Sequence, residues 1–352
     1  MRISLLTFFI LSPLFLLAQT AQKDTLRINR LDDYFYIYPW SGAPKFTIQF
    51  DSTGTKDSSF SRSYSINSRN LIGFAFGYKK LFLSLGFKTP YEVIPEYPDV
   101  KSSSFNLGAN YRSKKLNFEF AYKKFKGFYD PSALTDTTKQ REVRNDFYYR
   151  YYKLKAIYLF SPQKFSYNAA YLYKEWQRKS GGSFLVLGEF WSSKMTADSA
   201  FLPEDLTQYN AYWEDVNGAH INSLGAAGGY SFTLVAFKRF FFSAFLAVGL
   251  DIQHKTYDYT QGHSSKSFIT TAGTADSRAS FGFNSTRFFV TIAAKNDFNF
   301  SRAYGIRTTA TYNIVSFNIG YRFIPPKLIR DLYDVSPFNR GLKHYLPKRS
   351  KK

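Results

Sequence analysis

Residues 164–203 read KFSYNAAYLYKEWQRKSGGSFLVLGEFWSSKMTADSAFLP, and the way this stretch folds decides the architecture. Its first part alternates as a strand does. Phe165, Tyr167, Ala169, Tyr171 and Tyr173 fall on one side of an extended chain, and Ser166, Asn168, Ala170, Leu172 and Lys174 on the other, because successive strand side chains point to opposite faces. A basic corner follows, Gln177-Arg178-Lys179-Ser180-Gly181-Gly182, and then an apolar run from Ser183 to Trp191. One aromatic face, one mostly polar face and a short corner predict a hairpin of a membrane barrel, whose lipid-facing and lumen-facing residues alternate.

The same grammar recurs outward from this centre. Ile72, Phe74, Phe76 and Tyr78 alternate with Gly73, Ala75 and Gly77, and Lys79-Lys80 turns the chain into Leu81, Leu83, Leu85 and Phe87. Phe105–Tyr111 and Leu116–Tyr122 form a second pair across Ser113-Lys114-Lys115, with Asn117, Glu119 and Lys123 opposite the aromatics. Tyr152, Leu154, Ala156 and Tyr158 oppose Tyr151, Lys153, Lys155 and Ile157. Leu224–Phe237, Phe240–Tyr257 with Phe242–Ile252 sharing a face, Ala279–Phe283, Phe288–Ala294, residues 303–312 and Val315–Phe323 complete the series. Lys45–Asp51 is the expected first strand, followed by a Ser-rich loop to Asn70. The aromatic cluster Tyr34–Trp40 suits the headgroup level, and Lys327–Tyr333 has a short helical pattern. Segments of roughly 8 to 12 residues have the length that a tilted membrane strand needs.

The prediction is therefore all-β: a transmembrane antiparallel up-and-down β-barrel of about 12 strands (roughly 10–14), with its short turns in the periplasm. One conflict stands. With every tight turn periplasmic, Ser183–Trp191 breaks the parity unless another strand lies in 206–217 or the segment lies outside the wall. The last strand also ends on the wrong side for a periplasmic C-terminus.

Residues 1–18 carry Arg2, an apolar run from Ile3 to Leu17 and a small residue at Ala18. That is the pattern of a secretory signal, too short to span a bilayer. Cleavage after Ala18 is expected, with Ala21 as the alternative. The expected division is 1–18 signal peptide, 19–43 periplasmic lead-in, 44–323 barrel and 324–352 basic tail. The chain has no Cys, which excludes a lipid-anchored lipoprotein and any disulfide framework. Aromatic residues make up 20% of the chain while the mean hydropathy is −0.31. A barrel wall reconciles the two, since only every second residue meets lipid and aromatic girdles sit at both interfaces. The net charge of +21 is first of all a property of solvated loops. An exported barrel meets little nucleic acid, so the more specific partners are the phosphates of lipopolysaccharide and outer-membrane lipids, or an anionic ligand. The expected location is the outer membrane of a Gram-negative bacterium.

The segment Phe165–Trp191 resembles the centre of a Bacteroidota family known as domain of unknown function 4421. The likeness rests on Phe165-Ser166-Tyr167, Ala169-Ala170, Glu175, Gln177, Lys179-Ser180, Gly182-Ser183-Phe184-Leu185, and Asp198-Ser199 with Pro203. Arg178 stands where the family pattern has Lys, and Gly181 where it has Ala. The Leu71–Phe87 hairpin is similar too. The resemblance implies an outer-membrane barrel and supplies no activity.

Glu175, Arg178, Lys179 and Ser180 are the candidate ligand-binding residues, as a polar cluster in the lumen or at a loop base. The simpler account is a corner held by local ion pairs, with glycines for backbone freedom. Nucleophilic catalysis needs a Ser, a His and an orienting carboxylate; only His220, His254, His263 and His344 are present, and there is no Gly-x-Ser-x-Gly elbow. Asp251 and His254 lie on opposite faces of a strand. The carboxylates between Asp198 and Asp215 match no calcium loop. No catalytic residue, metal site or cofactor is expected. The expected role is structural, adhesive or narrow passage; the alternative is a lipid- or lipopolysaccharide-modifying enzyme, which an aligned Ser, His and carboxylate at one rim of the wall would favour.

Overall fold

The computed structural model describes residues 27–52, 60–68, 70–89, 96–112, 115–135, 142–203, 212–260 and 265–336, so the expected signal segment 1–18 lies outside the described residues. After β1 (Ile28–Arg30), the wall opens with β2 (Phe35–Ser52). β3 (Ser61–Ile66) and β4 (Leu71–Tyr78) both pair with β2, one along each half, and act as one interrupted wall strand. β5 (Leu81–Lys88), β6 (Ser103–Arg112), β7 (Leu116–Tyr129) and β8 (Val143–Leu159) continue the wall. β9 (Glu175–Gln177) leaves it to pair with β1. β10 (Gly181–Thr196), β11 (Val216–Ala236), β12 (Phe240–Tyr259), β13 (Lys266–Asn284), β14 (Phe288–Ala303) and β15 (Ile306–Phe323) bring the sheet back to β2. The result is a closed antiparallel barrel of 12 strands, with no edge left unpaired.

The alternation sorts the faces as expected. Leu246, Val248, Leu250 and Ile252 are exposed on the outside of β12, while Phe245, Ala247, Asp251 and Gln253 are buried inside. Several strands are longer than expected: β11 has 21 residues and β12 has 20, about twice what the hydrocarbon core requires, so they carry the loop end beyond the bilayer.

Five sequence expectations are corrected. The wall starts at Phe35, not Lys45, so the expected 19–43 lead-in contributes to it. The Tyr34–Trp40 cluster is not a simple headgroup belt. Tyr36, Tyr38 and Trp40 turn into the lumen, where the Trp40 ring lies over Gly73 and Gly86; a Cβ at Gly73 would collide with the Trp40 ring and the Leu85 carbonyl, so only glycine fits there. Part of the Ser-rich loop is β3. Residues 303–312 are no separate strand: β14 reaches Ala303, and Tyr304-Gly305, both at positive φ, turns directly into β15, an exception to the rule that tight turns sit at the periplasmic end.

The fifth correction removes the parity conflict. Phe165–Lys174 is not a wall strand. Ser166 caps a short helix, α2 (Tyr167–Tyr171), numbered after the single-turn α1 (Ser132–Thr135), and the segment folds into the barrel as a plug. Phe165–Ala170 and Leu172–Glu175 are all buried, so neither side of the alternating pattern meets lipid. With the plug out of the wall, both wall termini, Phe35 and Phe323, pair at the short-turn end. Beyond β15 lies α3 (Lys327–Val335).

Inside, the lumen is layered. The inward positions of β8 run from Tyr149 and Tyr151 through Lys153 and Lys155 to Ile157 and Leu159, all buried. The first pair joins an aromatic cluster at the loop end, with Phe125 stacked on Phe46 at 4.3 Å. The last pair joins a second apolar cluster built around the plug. Buried charge lies between the two.

Candidate functional site

The plug is built from local rules. Its entry is tied to the wall: Phe160 N–H donates to Phe184 O at 3.1 Å and Ser161 N–H to Ser183 Oγ at 2.9 Å. Ser166 Oγ accepts from Ala169 N–H at 2.9 Å, the usual way to satisfy a first-turn amide. Tyr173 at φ 56° reverses the chain, and Lys174 N–H returns to Asn168 O at 3.0 Å. β9 then runs antiparallel to β1, with Glu175 opposite Arg30.

Side chains of the wall hold this unit from every side. Tyr36 Oη donates to Leu172 O at 2.8 Å, Asn284 Nδ2 to Glu175 O at 3.0 Å, and Arg322 Nε to Tyr173 O at 3.1 Å. Tyr167 Oη is hydrogen-bonded to both Glu119 and Arg278.

Those last two residues open into the charged layer. Arg278 bonds Glu119 at 2.8 and 2.9 Å and Asp276 at 2.7 Å. Lys155 pairs with Asp276, Lys153 with Asp297 at 3.1 Å, and both lysines with Glu189 at 3.4–3.5 Å. Lys123 reaches Asp297 at 3.5 Å while lying 3.4 Å from the centre of the Tyr312 ring. Buried ions of this kind are stable only as a set, because each one left alone faces a large desolvation cost. The sequence places Glu119, Lys123, Lys153 and Lys155 on the strand faces opposite the outer apolar stripe, without a role for them. The signal was there: charge at inward positions flanked by apolar ones.

The four candidate residues part company. Glu175 is buried in the plug, accepting from Ser166 Oγ and paired with Arg112. Arg178, Lys179 and Ser180 lie on the rim. The Arg178 guanidinium stacks 4.9 Å from the Trp176 ring centre, Lys179 is exposed, and Ser180 Oγ accepts from Val235 N–H at 2.9 Å. Glu175 instead shares a cleft of about 930 Å³ with Arg27, Arg30, Asp32, Arg112 and Lys164. Arg112 spans the acids there, bonding Asp32 at 2.6 and 2.7 Å as well as Glu175. Nearby, Lys174 is 3% exposed and its Nζ has no hydrogen-bond partner among the described residues. Burial lowers this amine to about 7, and Arg112 pushes it the same way.

On the outer wall, Ser192 Oγ lies 3.2 Å from His220 Nε2. His220 forms no ion pair with a carboxylate among the described residues, and Asp258 on the next strand accepts from Ser265 Oγ. Asp251 points inward to Trp191 Nε1 and Ser223 Oγ, while His254 is exposed.

Among solved structures, the fold is similar to the outer membrane protease OmpT of Escherichia coli, with TM-score 0.39 and 7% identity over 86% of this chain and 100% of that one. It is also similar to Ail, the attachment invasion locus protein of Yersinia pestis (TM-score 0.24, 12% identity, 60% and 100%), and to the P. putida toluene transporter TodX (TM-score 0.24, 9%, 84% and 91%). These likenesses concern the fold alone, an outer-membrane β-barrel. No curated protein matches the chain. Residues 26–323 match the profile of domain of unknown function 4421, and the chain belongs to that family.

Proposed function

We propose that this protein is a closed outer-membrane barrel with a structural or adhesive role, and not an open pore. The observation that carries this reading is the filling of the lumen at three successive levels, aromatic at the loop end, ionic in the middle and plugged at the short-turn end. Narrow passage requires moving a plug bonded to β2, β7, β13 and β15, and is the weaker reading. Export by a cleaved signal at residues 1–18, from a Gram-negative cell of the Bacteroidota, belongs to the same proposal.

Its lipid partners are suggested by the outer wall. Lys124, Arg150 and Lys194 face out in one cross-strand row, four residues toward the loop end from exposed Leu154 and Phe190. Cations directly above an apolar band suit the phosphates of lipopolysaccharide. Lipid hydrolysis is the weaker second reading: Ser192 and His220 are within bonding reach, but Ser192 is 1% exposed and no carboxylate pairs with His220 among the described residues.

Unboiled gels and planar-bilayer conductance on the same folded sample test the first reading. A boiling-dependent mobility shift without conductance is expected; stable conductance overturns the closed barrel. Hydrolysis of a fluorescent phospholipid that is abolished in Ser192→Ala would move the enzyme ahead.

A further inference from the structure

We propose that the cleft at the short-turn end binds a carboxylate-bearing glycan–peptide strand of the periplasmic cell wall. Its volume of about 930 Å³ lies in the range of small-molecule sites. Its two acids, Asp32 and Glu175, are both held by Arg112. Arg30 also lies 3.9 Å from Glu175, yet five cations, Arg27, Arg30, Lys80, Arg112 and Lys164, line the space against these two acids, so net positive charge remains, and guanidinium forks match planar carboxylates.

Deeper in, the cleft asks for something else. Asn117 and Asn168 line it at 3% and 6% exposure, and the Oδ1 of each has no hydrogen-bond partner among the described residues. A buried amide oxygen needs a donor. A bare carboxylate supplies none, whereas a peptide or N-acylated sugar carries N–H groups beside its carboxylates.

Position narrows the choice further. Plug residues Phe165–Asn168 form one side of the cleft and Leu159 of the wall another, so the space lies within the ring of strand ends and away from bilayer lipid. With short turns in the periplasm, the cleft faces the compartment that holds the cell wall.

Isothermal titration of the full-length, detergent-folded barrel tests this with three probes: a soluble disaccharide-tetrapeptide, inorganic phosphate and a short-chain phosphatidylglycerol below its micelle concentration. Saturable binding of the tetrapeptide is expected. It should weaken at least about ten-fold when Arg30→Glu and Lys164→Glu are combined, and several-fold in Asn117→Leu, with the boiling-dependent shift retained. Asn168→Leu serves if Asn117→Leu does not fold. Absence of saturation, or tighter binding of phosphate or lipid, overturns the proposal, as does full affinity in the asparagine variant. A barrel that conducts and still binds the tetrapeptide would sink the closed-lumen reading and leave this one standing.

Discussion

Leu116–Tyr122 and Phe165–Tyr173 carry the same alternation of aromatic and smaller residues, yet one is wall and the other is plug. In β7 the two faces differ in burial: Phe118 is 42% exposed on the outside while Asn117 inside is 3% exposed. In the plug both faces are buried, Phe165 at 0% and Ser166 at 3%. Alternation thus reports an extended or a short helical chain equally well when it is brief. Tyr167 and Tyr171 are four apart, a spacing that shares a face in a strand and in a helix alike. The decisive local difference is Ser166, whose hydroxyl starts the helix.

Substitutions that treat the two regions alike should expose the difference. The largest effect belongs to neither segment but to the ionic layer behind them. Asp297→Leu leaves Lys123, Lys153 and Lys155 short of a shared carboxylate and should cost about 3–5 kcal/mol, read as a lower urea midpoint for unfolding in detergent. Phe165→Ala in the plug should cost a similar ~3–5 kcal/mol, because a rigid interior leaves a cavity. Phe118→Ala on the wall should lose roughly half that, since lipid tails refill the space and no cavity persists. Equal losses at the two sites would break the comparison.

Smaller changes sharpen it. Tyr167→Phe removes the hydroxyl shared by Glu119 and Arg278 and should destabilise by about 1–3 kcal/mol. Ser166→Ala removes the helix cap and a partner of Glu175, for about 0.5–2 kcal/mol. A slight rise in bilayer conductance in either variant would locate the weakness in the plug.

A separate effect is one of pH. Lys174 is lowered from 10.5 to about 7 by burial, so from about pH 7 to 10 the unfolded chain holds a proton that the folded chain has released. Stability contributed at this position should rise with pH across that window, and the penalty should be complete below it. Lys174→Met should flatten the dependence of the boiling-shift temperature between pH 6 and 10; an unchanged slope would show that Lys174 is hydrated.

The wall was legible in the sequence because lipid imposes an apolar residue at every second position, as in Leu71–Phe87 and Phe242–Ile252. The site was legible only in part. Glu175 stood out as an acid in a basic corner, but its partner Arg112 comes from β6, and no local pattern joins the two. The pairing within the ionic layer was hidden for the same reason, although its charged positions stood out on their strands. Lys153 and Asp297 are 144 residues apart, and only closing the barrel brings their strands face to face. Lys45 looked like the start of the wall because Pro39, Gly42 and Pro44 interrupt the apolar run before it, whereas in the structure β2 carries them, Pro39 paired only with β4, Pro44 only with β15 and Gly42 with both.

The plug is an internal segment, leaving the wall at β8 and rejoining it at β10, two strands that are hydrogen-bonded neighbours. It cannot drift away as a separate domain does, because both its ends are pinned a few ångströms apart in the sheet. Rebinding after any excursion is intramolecular, at the millimolar effective concentration of a short tether. Losing one contact therefore changes how often the barrel opens more than how long it stays open.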